Sequence, residues 1–280
     1  MTESQLYFAN YAVAFLDLLG QRDAMSDENL LPAFTTDAEK NEFTVRAKRI
    51  IGSIGVLQKR ARELEQGYKS ITFEDLKVAL PNEYAVEIDA FNAPQLQTQY
   101  WSDGLVLFSA LKGNQPLLGL SVLYQLIAKS GAICYMGLAS GEPIRGGIEI
   151  AWGVELNKGE IYGPAVARAY ELESSVACLP RIVIGENAIS FLDAASQFPD
   201  SAFVRATAQS ITSQVLRDEK GTYLVHYLSR PNNDDAAAPH REVYPRALAY
   251  IDSQLQKHDV GTKLHVRYSE LRDYFIAHRP

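Results

Sequence analysis

One short segment of the sequence, in which an acid in a turn is followed directly by an apolar run, strongly constrains the fold. Residues 105–108, Leu-Val-Leu-Phe, form an apolar run typical of a buried strand, and Ser102-Asp103-Gly104 before them is a turn signature. The pattern predicts a hairpin with Asp103 at its tip, at the edge of a buried sheet. A carboxylate there is costly unless a cation meets it, and a divalent metal is a common partner. The alternative is that Asp103 only closes an Asx turn.

A second acid lies in a matching context near the N-terminus. Residues 7–19 alternate and then become continuously apolar, which is typical of a central strand, and Asp17 lies near the end of that run. Gly20 then turns the chain toward a helix. An unpaired buried carboxylate is unusual, so Asp17 is interpreted either as a ligand-binding residue or as the N-cap of the following helix.

The predicted helices and strands follow one another in an order that indicates the fold class. They comprise a helix at 39–67, hairpin strands at 96–101 and 105–111, a helix at 117–129, strands at 133–138 and 144–150, and a helix at 165–177. This order contains a β-α-β-β-α-β core, the ferredoxin-like arrangement, in which the first strand lies beside the central hairpin. We therefore expect Asp17 and Asp103 to converge on one edge of the sheet. The adjacent glycines Gly146 and Gly147 predict a close backbone approach or a bulge.

The C-terminal part of the chain carries weaker signals. A strand is predicted at 223–228, and helices at 244–258 and 260–276 close the chain. Since no linker divides the sequence, we expect one α+β domain over residues 1–280. Its core covers about 7–185, and a C-terminal strand and helical extension covers about 200–280.

Composition excludes several classes of function. The net charge of −7 argues against sequence-independent binding to nucleic acid or to an anionic membrane. The first five residues contain no basic region, so a secretory signal is not expected, and no apolar run approaches the roughly 18 residues of a membrane helix. Cys134 and Cys178 lie in apolar surroundings typical of reduced cysteines, which indicates a cytoplasmic protein.

Two carboxylates that meet at one point suit one or two Mg²⁺ or Mn²⁺ ions, which keep some water and bind substrate phosphates. Such a site supports phosphoryl transfer. Four motifs also resemble, in order, those of class III nucleotidyl cyclases. Residues 15–20, Phe-Leu-Asp-Leu-Leu-Gly, resemble their first metal motif, and Ser102-Asp103 the second. Residues 144–148 resemble their arginine-glycine strand, and residues 163–173 the helix with their catalytic Asn and Arg. The resemblance covers about residues 7–184.

The resemblance implies a reaction and its metals. Asp17 and Asp103 would hold two Mn²⁺ or Mg²⁺ ions per site, with Leu18 adding a backbone carbonyl. The 3′-hydroxyl of a nucleoside triphosphate would attack its own α-phosphate and release pyrophosphate. Because family members build their sites across a head-to-tail homodimer, we expect a homodimer with sites at its interface, to which the last helices could belong.

The chain departs from this family at four functional positions. The ribose-orienting Asn falls on Ala167, and the transition-state Arg falls on Glu171. The Asp and the Lys that read adenine fall on Pro164 and Gln99. Since both purine-reading positions have lost their charge, the sequence disfavours adenylate cyclase activity.

The pattern of residues at these positions resembles that of the pyrimidine cyclases of bacterial Pycsar antiphage defence systems. In that family cyclic CMP or cyclic UMP activates a neighbouring effector, so the resemblance predicts UTP or CTP as substrate, with UTP favoured. Tyr100, Trp101 and Tyr170 could fill the space that a smaller base leaves. The alternative for Tyr100 and Trp101 is that they are core aromatics, the commoner role of such residues. The candidate substrate-binding residues are Phe15, Tyr100, Trp101, Tyr170 and Glu171.

Two arginines are candidates for the positive charge that the chain has lost. Arg168 lies three residues before Glu171, and Arg145 lies on an adjacent strand; either could stabilise charge that develops on phosphate. The alternatives are an ion pair of Arg168 with Glu171 or Glu173 on its own helix, and a solvent-facing Arg145. Two other functions remain open: a catalytically inactive cyclase-like domain that binds or senses a nucleotide, and a structural dimer module whose acids are caps.

Overall fold

The fold is given by a computed structural model that describes residues 7–20, 33–70, 96–111, 115–229 and 234–279. Its strands and helices are, in chain order, β1 (Phe8–Leu18), α1 (Asp37–Ser70), β2 (Gln97–Trp101), β3 (Gly104–Leu111), α2 (Pro116–Ala139), β4 (Ile144–Asn157), β5 (Glu160–Tyr162), α3 (Pro164–Glu171), β6 (Ile182–Ile184), α4 (Glu186–Ser196), α5 (Ala202–Thr212), β7 (Val215–Arg217), β8 (Tyr223–Val225), α6 (Asp234–Lys257) and α7 (Lys263–Ala277).

One long strand, β1, lies at the centre of the sheet. It pairs antiparallel with β4 on one side and with β3 on the other, and the strand order is β2-β3-β1-β4-β6-β8-β7, with β5 paired to β4. The elements β1-α1-β2-β3-α2-β4 and the order β2-β3-β1-β4 are those of a ferredoxin-like core. The predicted α+β class with a βαββαβ core and additional C-terminal helices is therefore confirmed.

The two faces of the sheet are covered by different helices. Ala14 and Leu16 of β1 belong to the main core, which α1 and α2 cover, whereas Val13 and Phe15 belong to a smaller core under α3. Because successive side chains of a strand point to opposite faces, Asp17 shares the α3 face with Phe15. The acid thus lies at the end of the smaller core.

One predicted strand is wrong. Residues 133–138 were expected to form a strand, but they belong to the second half of α2. Ile133, Cys134 and Leu138 are all buried there. A helix that is buried on most of its sides has no polar face to reveal its period, so a short apolar run within it resembles a strand.

The same helix corrects the expectation about membrane segments. Within the described part of the chain, α2 is long and apolar enough to span a membrane by length and composition alone. The rest of the protein buries 67% of the most apolar 18-residue stretch of this helix. A core helix of that kind meets the same criterion, so this feature alone does not indicate a membrane span.

The C-terminal extension packs on the core. Strand β8 pairs with β6 and so extends the sheet, α6 lies against α2, and α7 lies against α6. The hydroxyl of Tyr244 donates a hydrogen bond to the carbonyl of Phe275 over 2.8 Å, which joins α6 to α7. The two predicted terminal helices correspond to α6 and α7, whereas α5 and β7 were not predicted.

The contact between β8 and α7 contains a histidine with a shifted pKa. The Nδ1 atom of His226 lies 3.0 Å from the Tyr274 hydroxyl. Burial, together with the nearby His278, lowers the pKa of His226 from 6.5 to about 4. Between these two values the unfolded chain binds a proton at this site that the folded protein does not. Folding is therefore stabilised above pH 6.5, and this contribution is lost as the pH falls toward 4.

We predict that replacing His226 with Asn makes stability less dependent on pH. The melting temperature of the wild-type protein should fall more between pH 7 and pH 5 than that of His226→Asn, because the variant lacks the histidine that must stay neutral. Differential scanning fluorimetry at several pH values measures both slopes, and carboxylates contribute equally to the two proteins. Equal slopes would contradict the assignment.

Candidate active site

A row of four residues crosses the sheet where β1 ends. The strand registers place Trp101 opposite Gly104, Gly104 opposite Asp17, and Asp17 opposite Arg145. A Cβ atom on Gly104 would lie 2.6 Å from the carbonyl oxygen of Leu16 and 3.4 Å from Oδ1 of Asp17. Glycine at this position therefore leaves room for the Asp17 carboxylate beside β3.

Asp103 lies next to this row. Ser102 and Asp103 form the two-residue turn between β2 and β3. The carbonyl of Asp103 accepts a hydrogen bond from the amide of Leu18 over 3.4 Å, so the turn is joined to the end of β1. The expected convergence of Asp17 and Asp103 on one edge is thus present, and we call this pair the acidic edge. Asp17 lies within β1, so its interpretation as a helix N-cap is wrong.

Three charged side chains connect the acidic edge to the segment after α3. Nη2 of Arg145 lies 3.6 Å from Oδ2 of Asp17, and Nε of Arg145 forms an ion pair with Oε1 of Glu173. The side chain of Glu173 is 1% exposed and that of Arg145 is 23% exposed. The interpretation of Arg145 as a solvent-facing cation is therefore wrong. A carboxylate buried as deeply as Glu173 requires a counter-charge, and Arg145 supplies it.

The backbone around Glu173 departs from a regular α-helix. After α3 the chain continues in a π-helical turn, Leu172–Val176, a feature that occurs often at functional sites. A Cβ atom on Gly147 would lie 2.6 Å from Cβ of Leu172 and 3.0 Å from the amide of Glu173. The close approach predicted from Gly146 and Gly147 is confirmed, and it allows the turn to place Glu173 beside Arg145.

Aromatic side chains lie beside the acidic edge on the α3 face. The Phe15 ring packs edge-to-face against Trp101 and Tyr170, with centroid separations of 5.6 Å and 5.3 Å. Trp101 and Tyr170 remain 42% and 41% exposed, so both can contact a ligand. Tyr100 is separated from them: neighbouring strand residues face opposite sides, and its ring lies 5.9 Å from the guanidinium carbon of Arg62 on α1. The expected grouping of Tyr100 with Trp101 and Tyr170 is wrong for this reason.

Arg168 and Glu171 are exposed residues of α3. Burial raises the pKa of the Glu149 carboxyl, and hydrogen bonds from backbone amides and the nearby charge of Arg168 oppose this rise. Glu149 in turn accepts a hydrogen bond from the amide of Ala188, in the first turn of α4, over 3.2 Å. The structure therefore places Arg168 near the beginning of α4, and Arg145 is the arginine that contacts Asp17.

A polar network that the sequence did not reveal holds the β4–β5 hairpin against β2. The side-chain oxygen of Gln99 accepts a hydrogen bond from the amide of Ile161 over 3.0 Å. Gln97 and the Tyr11 hydroxyl each donate to Glu155 over 3.1 Å, and burial together with Glu155 raises the pKa of Tyr11 to about 12. Gln97 and Gln99 are two residues apart and therefore lie on the same face of β2. This spacing was the sequence signal that could have predicted the network.

The acidic edge fits a divalent metal ion by the chemistry of its oxygen atoms. Mg²⁺ and Mn²⁺ commonly take one or two protein carboxylates and complete their shells with water and substrate phosphates. Asp17 and Asp103 supply such carboxylates. Leu18 follows Asp17 directly, and its backbone amide donates a hydrogen bond to the carbonyl of Asp103. Among the residues that the structure describes, no group of three or more His, Cys, Asp and Glu side chains could hold a metal. Water and substrate oxygens would complete the shell of an ion held by these two carboxylates.

Comparisons with known proteins give distant likenesses. No protein-family model and no curated protein matches the chain. Among solved structures, the adenylyl cyclase CyaB from P. aeruginosa matches at 14% identity over 82% of this chain and 98% of that chain, with a TM-score of 0.44. A class III adenylyl cyclase-like ATP-binding protein from Pseudomonas aeruginosa matches at 13% identity over 92% of this chain and 46% of that chain, with a TM-score of 0.45.

A third likeness is to the monomeric guanylyl cyclase domain of the RhoGC fusion protein from the aquatic fungus Blastocladiella emersonii. It has 13% identity over 79% of this chain and 98% of that chain, and its TM-score is 0.40. With TM-scores below 0.5, these likenesses are too distant to support an argument about the site.

We predict that Gly147→Ala destabilises the protein by about 1–3 kcal/mol, because the added methyl group overlaps Leu172 and the backbone of Glu173. Gly52→Ala is the matched control: it lies within α1, and beyond the neighbouring backbone of that helix no heavy atom lies within 4 Å of the added methyl. It should stabilise the protein by about 0.5–1 kcal/mol. Urea denaturation measures both free energies of unfolding, and an unchanged Gly147→Ala variant would contradict the packing described.

Proposed function

We propose that this protein is a metal-dependent pyrimidine nucleotide cyclase that converts UTP or CTP to the 3′,5′-cyclic nucleotide and pyrophosphate. The observation that supports it most is the acidic edge: the pairing of β1 with β3 brings Asp17 and Asp103 together beside Arg145. This edge combines carboxylates for metal ions with a cation for phosphate, which are the two requirements of phosphoryl transfer.

In the proposed mechanism Asp17 and Asp103 would hold Mg²⁺ or Mn²⁺, two ions per site, and the backbone carbonyl of Leu18 would be a further ligand. Bound metal ions would neutralise phosphate charge and favour in-line attack. Arg145 stabilises the negative charge that moves onto the leaving pyrophosphate. The 3′-oxygen forms a bond to the α-phosphorus, the bond to pyrophosphate breaks, and the hydroxyl proton is released.

The aromatic side chains beside the acidic edge support a site for the base. Trp101 and Tyr170 pack on Phe15 and keep exposed surface, and an aromatic side chain of this kind can stack on a nucleobase. The Gln99 side-chain oxygen is engaged by the amide of Ile161, and Pro164 has no charge. Both features favour a pyrimidine over adenine, and the resemblance to Pycsar cyclases favours UTP.

The remaining parts of the proposal rest on that resemblance. The chain would act as a single 280-residue cyclase domain in a cytoplasmic homodimer, with its sites at the interface. Its cyclic nucleotide would serve as a second messenger in antiphage defence and would act through a cyclic-nucleotide-gated effector. Separately from the resemblance, the net charge of −7 disfavours nucleic acid and anionic membranes as partners.

A second candidate function is a catalytically inactive cyclase-like domain that binds a nucleotide. It is favoured by α3, which carries Ala167 and Glu171 where active class III enzymes carry Asn and Arg. Glu171 is exposed and acidic, so it offers phosphate no stabilisation. The two candidates differ only in whether bound substrate reacts.

We predict that the purified protein, incubated with Mn²⁺ and each of the four ribonucleoside triphosphates, forms cyclic UMP or cyclic CMP. Mass spectrometry identifies the product. The double variant Asp17→Asn, Asp103→Asn should lose activity by at least about 10²-fold, because the metal ligands are removed. Asp193→Asn, an exposed acid of α4, is the control and should retain it.

Three other results would change the conclusion. Binding of a nucleotide without any product would favour the second candidate. A cyclic purine as the main product would show that the base is wrong. Neither binding nor product with any of the four would contradict both candidates.

A further inference from the structure

Two histidine side chains that are distant in sequence meet where β8 and α7 contact each other. His226 directly follows β8, and His278 directly follows α7. The centroids of their rings lie 4.5 Å apart, and the ring planes are inclined by 66°. Both side chains are half-buried, so solvent can reach the pair. An imidazole nitrogen is a common ligand of Zn²⁺, Cu²⁺ and Ni²⁺ in proteins.

Tyr274 holds one of the two rings in place. Its hydroxyl oxygen accepts a hydrogen bond from the amide of Leu228 over 3.2 Å and lies 3.0 Å from Nδ1 of His226. This contact engages Nδ1, so Nε2 is the His226 nitrogen that remains for another partner. Histidines that bind metals usually make such a contact through their second ring nitrogen, which fixes the orientation of the ring.

The spacing of the rings suits one metal ion between them. Zn–N bonds are about 2.0–2.1 Å long, so two nitrogens on a tetrahedral ion lie roughly 3.3 Å apart. Rings with centroids 4.5 Å apart allow Nε2 of His226 and a nitrogen of His278 to reach that separation. Within the part of the chain that the structure describes, these nitrogens form no hydrogen bond with a protein group. They are therefore open to a ligand.

The electrostatic surroundings favour a cation at this point. His278 is the C-cap of α7, a helix of 15 residues, and the partial negative charge at a helix C-terminus attracts cations. Burial and the neighbouring His278 lower the pKa of His226 to about 4. Above that pH the His226 ring is neutral and offers a lone pair to a metal ion without first losing a proton.

We propose that His226 and His278 form a binding site for a transition metal ion, Zn²⁺ in particular, which joins the end of α7 to β8. Water would complete the tetrahedral shell. Imidazole ligands suit Zn²⁺, whereas carboxylates and water suit Mg²⁺ and Mn²⁺. This site and the acidic edge would therefore bind different ions, and the inference is independent of the proposed function.

Electron paramagnetic resonance of Cu²⁺ bound to the full chain tests the ligands directly, because couplings to imidazole nitrogens count the coordinated histidines. Chelator-treated wild-type protein with one equivalent of Cu²⁺ should show two such nitrogens. His226→Asn and His278→Asn should each show fewer and should bind Cu²⁺ at least about tenfold more weakly. His265→Asn, which removes another histidine of α7, is the matched control and should keep both nitrogens.

Thermal stability tests the proposed ion itself. The measurement uses the Asp17→Asn, Asp103→Asn background, so that Zn²⁺ at the acidic edge does not contribute. Zn²⁺ at about ten times its Kd should raise the melting temperature by about 2–4 °C. Adding His278→Asn should abolish this rise, and circular dichroism confirms that each variant is folded.

Three results would overturn the inference. The first is a wild-type Cu²⁺ spectrum that lacks coupling to two imidazole nitrogens. The second is a His278→Asn variant that keeps both couplings, and the third is a Zn²⁺-induced rise in melting temperature that His278→Asn leaves unchanged. If His226→Asn fails to fold, His278→Asn decides alone, because it lies at the end of α7.

Discussion

The site depends on the register of one central strand. β1 pairs with β3 and β4 at once, and this double pairing aligns Trp101, Gly104, Asp17 and Arg145 in one row. A slip of one residue would turn Asp17 to the α2 face, where a carboxylate would meet the main core. The pairing register of β1 therefore sets the position of the acid as well as which side chains enter each core.

The sequence revealed the order of the core elements because their signals are local. The turn at Ser102-Asp103 and the alternation along β1 predicted the hairpin and its neighbour correctly. The strand predicted within α2 failed because a helix that is buried on most sides loses its polar face. Strand β7 is only three residues long, Val215–Arg217, and carries too few residues for a periodic signal.

The candidate site was predictable only where it depends on strand pairing. The convergence of Asp17 and Asp103 could be predicted from the order of the strands. The identity of the carboxylate that pairs with Arg145 could not be predicted in this way. An ion pair of Arg168 with Glu171 or Glu173 on its own helix was one alternative for that arginine. Glu173 instead lies in the π-helical turn and pairs with Arg145. Tyr100 was assigned to the wrong face because adjacent aromatic residues look equivalent in a sequence.

The most direct measurement for this account is anomalous X-ray diffraction from crystals grown with Mn²⁺ and a UTP analogue that cannot cyclise. We expect anomalous peaks within bonding distance, about 2.0–2.2 Å, of carboxylate oxygens of both Asp17 and Asp103. The triphosphate should lie between them and Arg145. Peaks that avoid either acid, or a triphosphate bound elsewhere on the protein, would contradict the central claim that the acidic edge is the site of phosphoryl transfer.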